Sequence, residues 1–266
     1  MSRPGLWGLL SISALLASCA FLPTTPAGVQ VAPLSPPGLP EGRLFRPTTP
    51  GPYPSVLLIH GGSWRSGRPS HMSAIGKALA QAGFLAFSTA YRFSPEHQHP
   101  AQEEDVQAAL RWLAARGDVD ASRLALWGYS AGAQLAMKTA LETESHLPRL
   151  KAVVAGGTPG DFTLFDPESP TMRQFLGASR PEAAARWADA SPLNSVHGAA
   201  PPTFFYHGAD DTLVVPAHAE RLHEALRNAG AESTLRFVPG GHMGVFILNR
   251  EIEGDAIAFL KDRLGS

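Results

Sequence analysis

The chain has 266 residues, 44% of them hydrophobic, which is enough for one full-sized α/β domain. A net charge of -1 argues against nucleic-acid binding and against a polybasic membrane surface. A single cysteine excludes an intramolecular disulfide and a cysteine-based zinc site.

That cysteine closes an apolar N-terminal run. Arg3 heads a short polar start, and Leu6–Leu10 through Leu15-Leu16-Ala17 form an apolar segment too short for a comfortable membrane span. Leu16-Ala17-Ser18-Cys19 resembles a bacterial lipobox, so residues 1–18 are expected to be a lipoprotein signal peptide and Cys19 the lipidated residue. An ordinary cleaved signal or an uncleaved anchor are the alternative readings. The expected location is the cell envelope, on a membrane facing the periplasm or the exterior. Prolines crowd the stretch from Phe21 to Pro54. Residues 19–41 are expected to be the lipidated cysteine and an extended linker, with a hydrolase-type domain over 42–266. Leu44-Phe45-Arg46 reads as a short edge strand.

From Ser55 onward the pattern alternates. Ser55–Ile59 is a continuous apolar run, as expected of a parallel strand buried on both faces. Ser70 can cap a helix with Met72, Ile75 and Leu79 on its apolar side, stopped by Gly83. Phe84–Phe87 is the next strand, and Pro100 opens a helix carrying Val106, Ala109, Leu110 and Leu113. Leu124–Tyr129 and Leu150–Ala155 are further buried strands. Residues from about Gly160 to Ala200 break the rhythm with prolines and aromatics and read as a small insertion over the sheet's C-terminal edge. Thr203–Tyr206 resumes the sheet, a helix ends at Gly230, Leu235–Val238 is the last strand and Ile252–Leu264 the last helix. Such alternation predicts βαβ units and a mostly parallel sheet with helices on both faces. No internal repeat is visible.

Four loops leaving strand ends carry chemistry, and in a doubly wound sheet such loops gather at one edge. Gly128-Tyr129-Ser130-Ala131-Gly132 sits between a strand and an Ala-rich helix, the context of a nucleophile elbow. Ser130 is the candidate nucleophile, and the helix starting at Ala131 aims its free N–H groups at the same spot. His60-Gly61-Gly62-Ser63-Trp64 can bring backbone amides to a substrate carbonyl, with His60 structural behind the glycines. His207-Gly208-Ala209-Asp210-Asp211 offers a carboxylate to orient an imidazole. Gly240-Gly241-His242 reads as a mobile loop with His242 as general base. His71, His97, His99, His146, His197, His218 and His223 have no such placement. No His-rich or carboxylate cluster has ligand spacing, so neither metal nor cofactor is expected.

At this point the chain resembles the α/β-hydrolase fold, and within it hormone-sensitive-lipase-like esterases and short feruloyl and acetyl esterases. The resemblance runs from about Arg43 to Leu264 and includes Tyr91–His97, Pro100 with Asp105, Trp112, Asp120–Arg123 and Ala190–Leu193. It implies a triad of Ser130, Asp211 and His242, and an oxyanion hole from the Gly62/Ser63 segment and the Ala131 amide. The oxyanion loop departs from His-Gly-Gly-Gly in a way that kynurenine-formamidase-like enzymes share. One additional residue before Val215-Pro216 leaves Asp210 in contention with Asp211, and Asp161 stands next. The expected activity is a serine carboxylesterase for short-chain acyl esters. An arylformamidase or amidase with the same triad is the alternative, and a non-catalytic surface lipoprotein a third. Because the Pro-rich start cannot fold into a helical cap, the pocket is expected to be open, without the interfacial activation of a lipase.

Overall fold

The computed structural model describes residues 25–143, 146–248 and 250–265. Cys19 and the signal-type segment lie outside the described residues. Among the described residues the strands are β1 (Val29–Leu34), β2 (Gly42–Pro47), β3 (Tyr53–Ile59), β4 (Leu85–Thr89), β5 (Val119–Tyr129), β6 (Ala152–Gly156), β7 (Thr203–Gly208) and β8 (Ser233–Val238). The helices are α1 (Ser73–Gln81), α2 (Ala101–Ala114), α3 (Ala131–Ala140), α4 (Pro170–Leu176), α5 (Ala184–Ala190), α6 (Ala217–Asn228), α7 (His242–Leu248) and α8 (Arg250–Leu264).

The strands form one sheet in the order β1-β2-β4-β3-β5-β6-β7-β8. β1 and β2 run antiparallel, and β2 pairs antiparallel with β4; every other pairing is parallel. Period-2 alternation splits the apolar side chains between two cores. Leu57, Ile59, Leu124 and Leu126 pack with Val106 and Leu110 of α2 and Leu135 of α3. Val56, Leu58, Ala125 and Trp127 pack on the other face with Leu79 of α1 and Ala256 and Leu260 of α8. With both faces covered, β3 and β4 are buried along their whole length, which is why they read as unbroken apolar runs. The chain winds outward from β3 to β4, then crosses back to place β5 on the opposite side of β3. That reversal opens a crevice between the C-terminal ends of β3 and β5, the place where such sheets bind ligands.

Four expectations need correction. The extended linker does not run through residue 41, because Val29–Leu34 is a sheet strand in register with β2, from Val29 opposite Pro47 to Leu34 opposite Gly42. An edge strand needs ladder bonds on one side only, so Pro33 is tolerated there. With β1 outside it, β2 is an interior strand, not the edge. Ser70 caps nothing: Pro69–Met72 is a 3-10 turn, and α1 starts at Ser73 without a side-chain cap. His242 opens a helix, α7, instead of lying in a loop; Val245 ties that helix down by packing into the α8-side core.

The insertion between β6 and β7 holds a 3-10 turn (Phe162–Leu164), α4, α5 and a second 3-10 turn (Pro192–Ser195). Phe162, Met172, Phe175 and Trp187 are buried in it and continuous with the main core, so it is a lobe of one domain.

Candidate active site

β5 delivers Ser130 to the crevice. The residue adopts φ 55°, ψ −125°, a positive φ that an L-residue occupies only under constraint. The constraint is visible on both sides. Its N–H donates to the Gly156 carbonyl at 2.8 Å, and its own carbonyl accepts from Ala133 N at 2.8 Å. The flanking glycines admit the close approach of strand and helix: a Cβ on Gly128 would overlap the Gly132 carbonyl, and one on Gly132 would overlap the Ile59 carbonyl. Both obstacles are backbone. Gly132→Ala is therefore expected to push α3 away from the end of β3, costing about 1–3 kcal/mol of stability. Thermal unfolding checks this, and an unchanged Tm contradicts it.

His242 stands over the serine from α7. Its Nε2 is 2.8 Å from Ser130 Oγ and its Nδ1 is 2.6 Å from Asp211 Oδ2. The other Asp211 oxygen accepts from the amides of Leu213 and Val214, each at 2.9 Å. His207 donates to the Val214 carbonyl at 2.7 Å and lies 3.4 Å from Asp211 Oδ2. Burial alone raises the Asp211 carboxyl. Hydrogen bonds from His207, His242 and the Val214 amide outweigh it and hold the group well below the usual carboxylate range. Of the two neighbouring carboxylates, Asp211 is the one that meets His242. Asp210 is exposed and accepts from the Gly240 amide at 3.0 Å, bracing the turn ahead of α7. Asp161 pairs with Arg221 at 2.7 Å and caps the turn at Thr163.

The loop after β3 closes the other side. Gly61 packs so tightly that a Cβ there would sit 3.0 Å from Ser130 Cβ. Ser63 and Trp64 follow with φ of 54° and 59°, two consecutive left-handed residues. Trp64 anchors the loop: its Nε1–H donates to Gln134 Oε1 at 2.7 Å, and its ring stacks on Phe175 at 4.3 Å. Gln134 in turn donates to the Ala190 carbonyl at 2.8 Å, joining loop, α3 and insertion. Gly62, Ser63 and Ala131 border the space around Ser130, and Ala131 opens α3, where N–H groups lack intrahelical partners. His60 is buried behind the loop, stacked on Tyr91 at 4.5 Å, with desolvation lowering its pKa to about 4. Its neutral ring supports the loop and does not face the serine.

Two residues escaped the sequence reading. Tyr129 donates its hydroxyl to the His242 carbonyl, and its ring packs 5.2 Å from the imidazole and 4.6 Å from Phe246. Phe246 lies between the loop expected at Gly240–His242 and the helix expected from Ile252. Both are legible only once α7 is folded back onto β5.

Two recesses meet at Ser130 and share Ser63 and Leu213. One, of about 170 Å³, is walled by Trp64, Pro159, Phe165 and Met172; the other, of about 190 Å³, by Gly67, Tyr129, His242 and Phe246. Larger hollows lie elsewhere, about 540 Å³ beside Thr139 and Lys151 and about 530 Å³ between α1 and α7. Neither includes Ser130 or His242, so the crevice is the site the chemistry selects.

Sheet order, strained serine and hydrogen-bonded line together define a protein of the α/β-hydrolase fold. Residues 44–226 match the BD-FAE family model, and the chain belongs to that family. It is 30% identical over 200 residues to Esterase LipQ of Mycobacterium tuberculosis (strain ATCC 25618 / H37Rv), spanning 67% of this chain and 47% of that protein. Esterase LipC of the same strain is 29% identical over 227 residues, 76% of this chain and 55% of that one. The chain spans about half the length of these curated relatives. Among solved structures, that of EstE1, a thermophilic and thermostable carboxylesterase cloned from a metagenomic library, superposes with a TM-score of 0.77. It is 25% identical and covers 89% of this chain and 90% of its own.

Proposed function

We propose that the protein is a serine carboxylesterase acting through an acyl-enzyme on Ser130. The observation that carries this reading is the line of hydrogen bonds, 2.8 Å from Ser130 Oγ to His242 Nε2 and 2.6 Å from His242 Nδ1 to Asp211. With Nδ1–H donated to Asp211, Nε2 is left to accept the serine proton as Oγ attacks the ester carbonyl. The amides of Gly62, Ser63 and Ala131 hold the developing oxyanion. Losing one such donor in comparable sites costs on the order of a hundred- to a thousand-fold. The imidazolium then protonates the departing alkoxide, and water repeats the sequence to release the acid. The esterase names of LipQ, LipC and EstE1 favour an ester over an amide.

The alkoxide must leave beside His242, which assigns the alcohol to the recess of Tyr129 and Phe246 and the acyl group to the recess of Trp64 and Met172. At about 170 Å³ the acyl recess is smaller than the roughly 300–1,000 Å³ typical of pockets for drug-sized ligands. Short acyl groups, around acetyl to butyryl, are therefore the expected substrates. Across p-nitrophenyl esters kcat/KM should peak in that range and fall for chains of about ten carbons, each unburied methylene forfeiting about 0.8 kcal/mol. A rise continuing to long chains contradicts the assignment. N-formylkynurenine in the same series tests the formamide alternative.

The Leu16-Ala17-Ser18-Cys19 motif supports attachment of the domain to an envelope membrane through lipid on Cys19. Cys19→Ala is expected to abolish palmitate labelling, and label retained in that variant sinks the attachment.

A further inference from the structure

We infer that the rim of the site formed by α7 and the loop after β7 docks on a lipid bilayer, so that the mouth takes esters lying in the membrane interface. The inference rests on the esterase and lipid-attachment readings above and goes beyond both. Among the described residues the large apolar side chains left exposed are Leu213, Val215, Phe237, Met243 and Ile247. Leu213 and Val215 leave the end of β7, and Met243 and Ile247 lie four residues apart on one face of α7. Val245 packs inward from the same helix. Single exposed apolar residues need no account, but a group bordering a catalytic mouth does. Leu213 and Met243 reach the recesses; Val215 and Ile247 line neither, so substrate contact inside the recesses does not explain their exposure.

Where the chain enters the domain indicates what covers them. Pro26 lines the groove of about 530 Å³ between α1 and α7, together with Phe246 and Ile247. Cys19 precedes Pro26 by seven residues, a reach of about 25 Å at full extension. Lipid on Cys19 thus holds the α7 side of the domain, and not its far end, close to the membrane. Arg65 and Arg68 are exposed on the loop whose Ser66 and Gly67 line the alcohol recess, which suits anionic headgroups. Glu253 in the groove and Asp210, exposed on the loop after β7, are the opposing charges. The substrate class that follows is a short acyl ester of a membrane-borne alcohol. The surface presents the ester; no lid is needed.

The test uses the full chain reconstituted in phosphatidylcholine/phosphatidylglycerol vesicles, with Val215→Glu and Ile247→Glu. Hydrolysis of aqueous p-nitrophenyl acetate should stay within about two-fold, while hydrolysis of hexadecyl butyrate carried in the vesicles falls ten-fold or more. Equal retention of both activities overturns the docking and leaves the rim as a substrate entrance only. If both activities fall together, depth measurement decides. A fluorophore on Ile247→Cys should be quenched by brominated lipid, and one on Arg149→Cys, beyond the opposite end of the sheet, should not. Quenching at neither position or equally at both overturns the proposal, as does shielding of Ile247→Cys that grows with protein concentration without vesicles, which assigns the face to a second copy. The unsubstituted chain takes the fluorophore only if the Cys19 thiol is free. Labelling there overturns the lipid attachment separately, and the pair is then read in a Cys19→Ser background.

Discussion

Alanine at Ser130 or at His242 is expected to remove nearly all ester hydrolysis while leaving thermal unfolding close to that of the parent. The serine hydroxyl and the imidazole meet at 2.8 Å, and in the proposed mechanism they act on one proton, so neither functions alone. Losses in a comparable serine hydrolase reach about 10⁶ in kcat for either residue, and removing both adds little. The double variant should therefore match the worse single one, with the residual rate coming from substrate binding and the oxyanion amides. Losses that multiply would mean that the two residues do not share a step.

Asp211→Asn should follow with a loss of about 10⁴ in turnover, as in the type case. The geometry says why. Oδ1 accepts two backbone amides, so an asparagine keeps its carbonyl oxygen there and turns its NH₂ toward His242. That presents a donor to Nδ1, moves the imidazole proton to Nε2, and leaves nothing to take the serine proton. Asp210→Asn should be mild, since Asp210 only accepts from the Gly240 amide. The larger loss falling on Asp210 would reverse the assignment. Stability carries a second signature. The Asp211 carboxyl titrates below its ordinary value, so its ionised form stabilises the fold at neutral pH, and that contribution is lost as pH falls through the folded value. The Tm gap between parent and Asp211→Asn should be widest near neutrality and narrow below about pH 4.

Much of this site is legible in the sequence because its constraints are local. An elbow demands small residues on both sides of Ser130 and a strand-to-helix change, and all of that lies within Leu124–Ala133. The sheet is legible for a related reason: strands buried on both faces leave no room for polar alternation. The misses lie where long-range contacts decide. β1 contains Pro33 within a proline-rich stretch and forms because Phe45 and its neighbours on β2 offer an open edge. α7 is short and interrupted by Gly244, and it holds together through Val245 in the core and Tyr129 on the His242 carbonyl. The Trp64–Gln134 bond that fixes the loop after β3 joins residues 70 apart, and no local pattern announces it. The choice between Asp210 and Asp211 turns on which way one tight turn faces, which composition does not encode.

If Ser130 is the nucleophile, a covalent probe of activated serines will find it. A fluorophosphonate incubated with the full-length protein should leave one phosphonyl adduct, found by peptide mass spectrometry on Ser130, with ester hydrolysis lost in proportion. Ser130→Ala should take no label. Full ester hydrolysis in a protein that takes no label, or an adduct on another residue that persists in Ser130→Ala, would rule Ser130 out as the nucleophile.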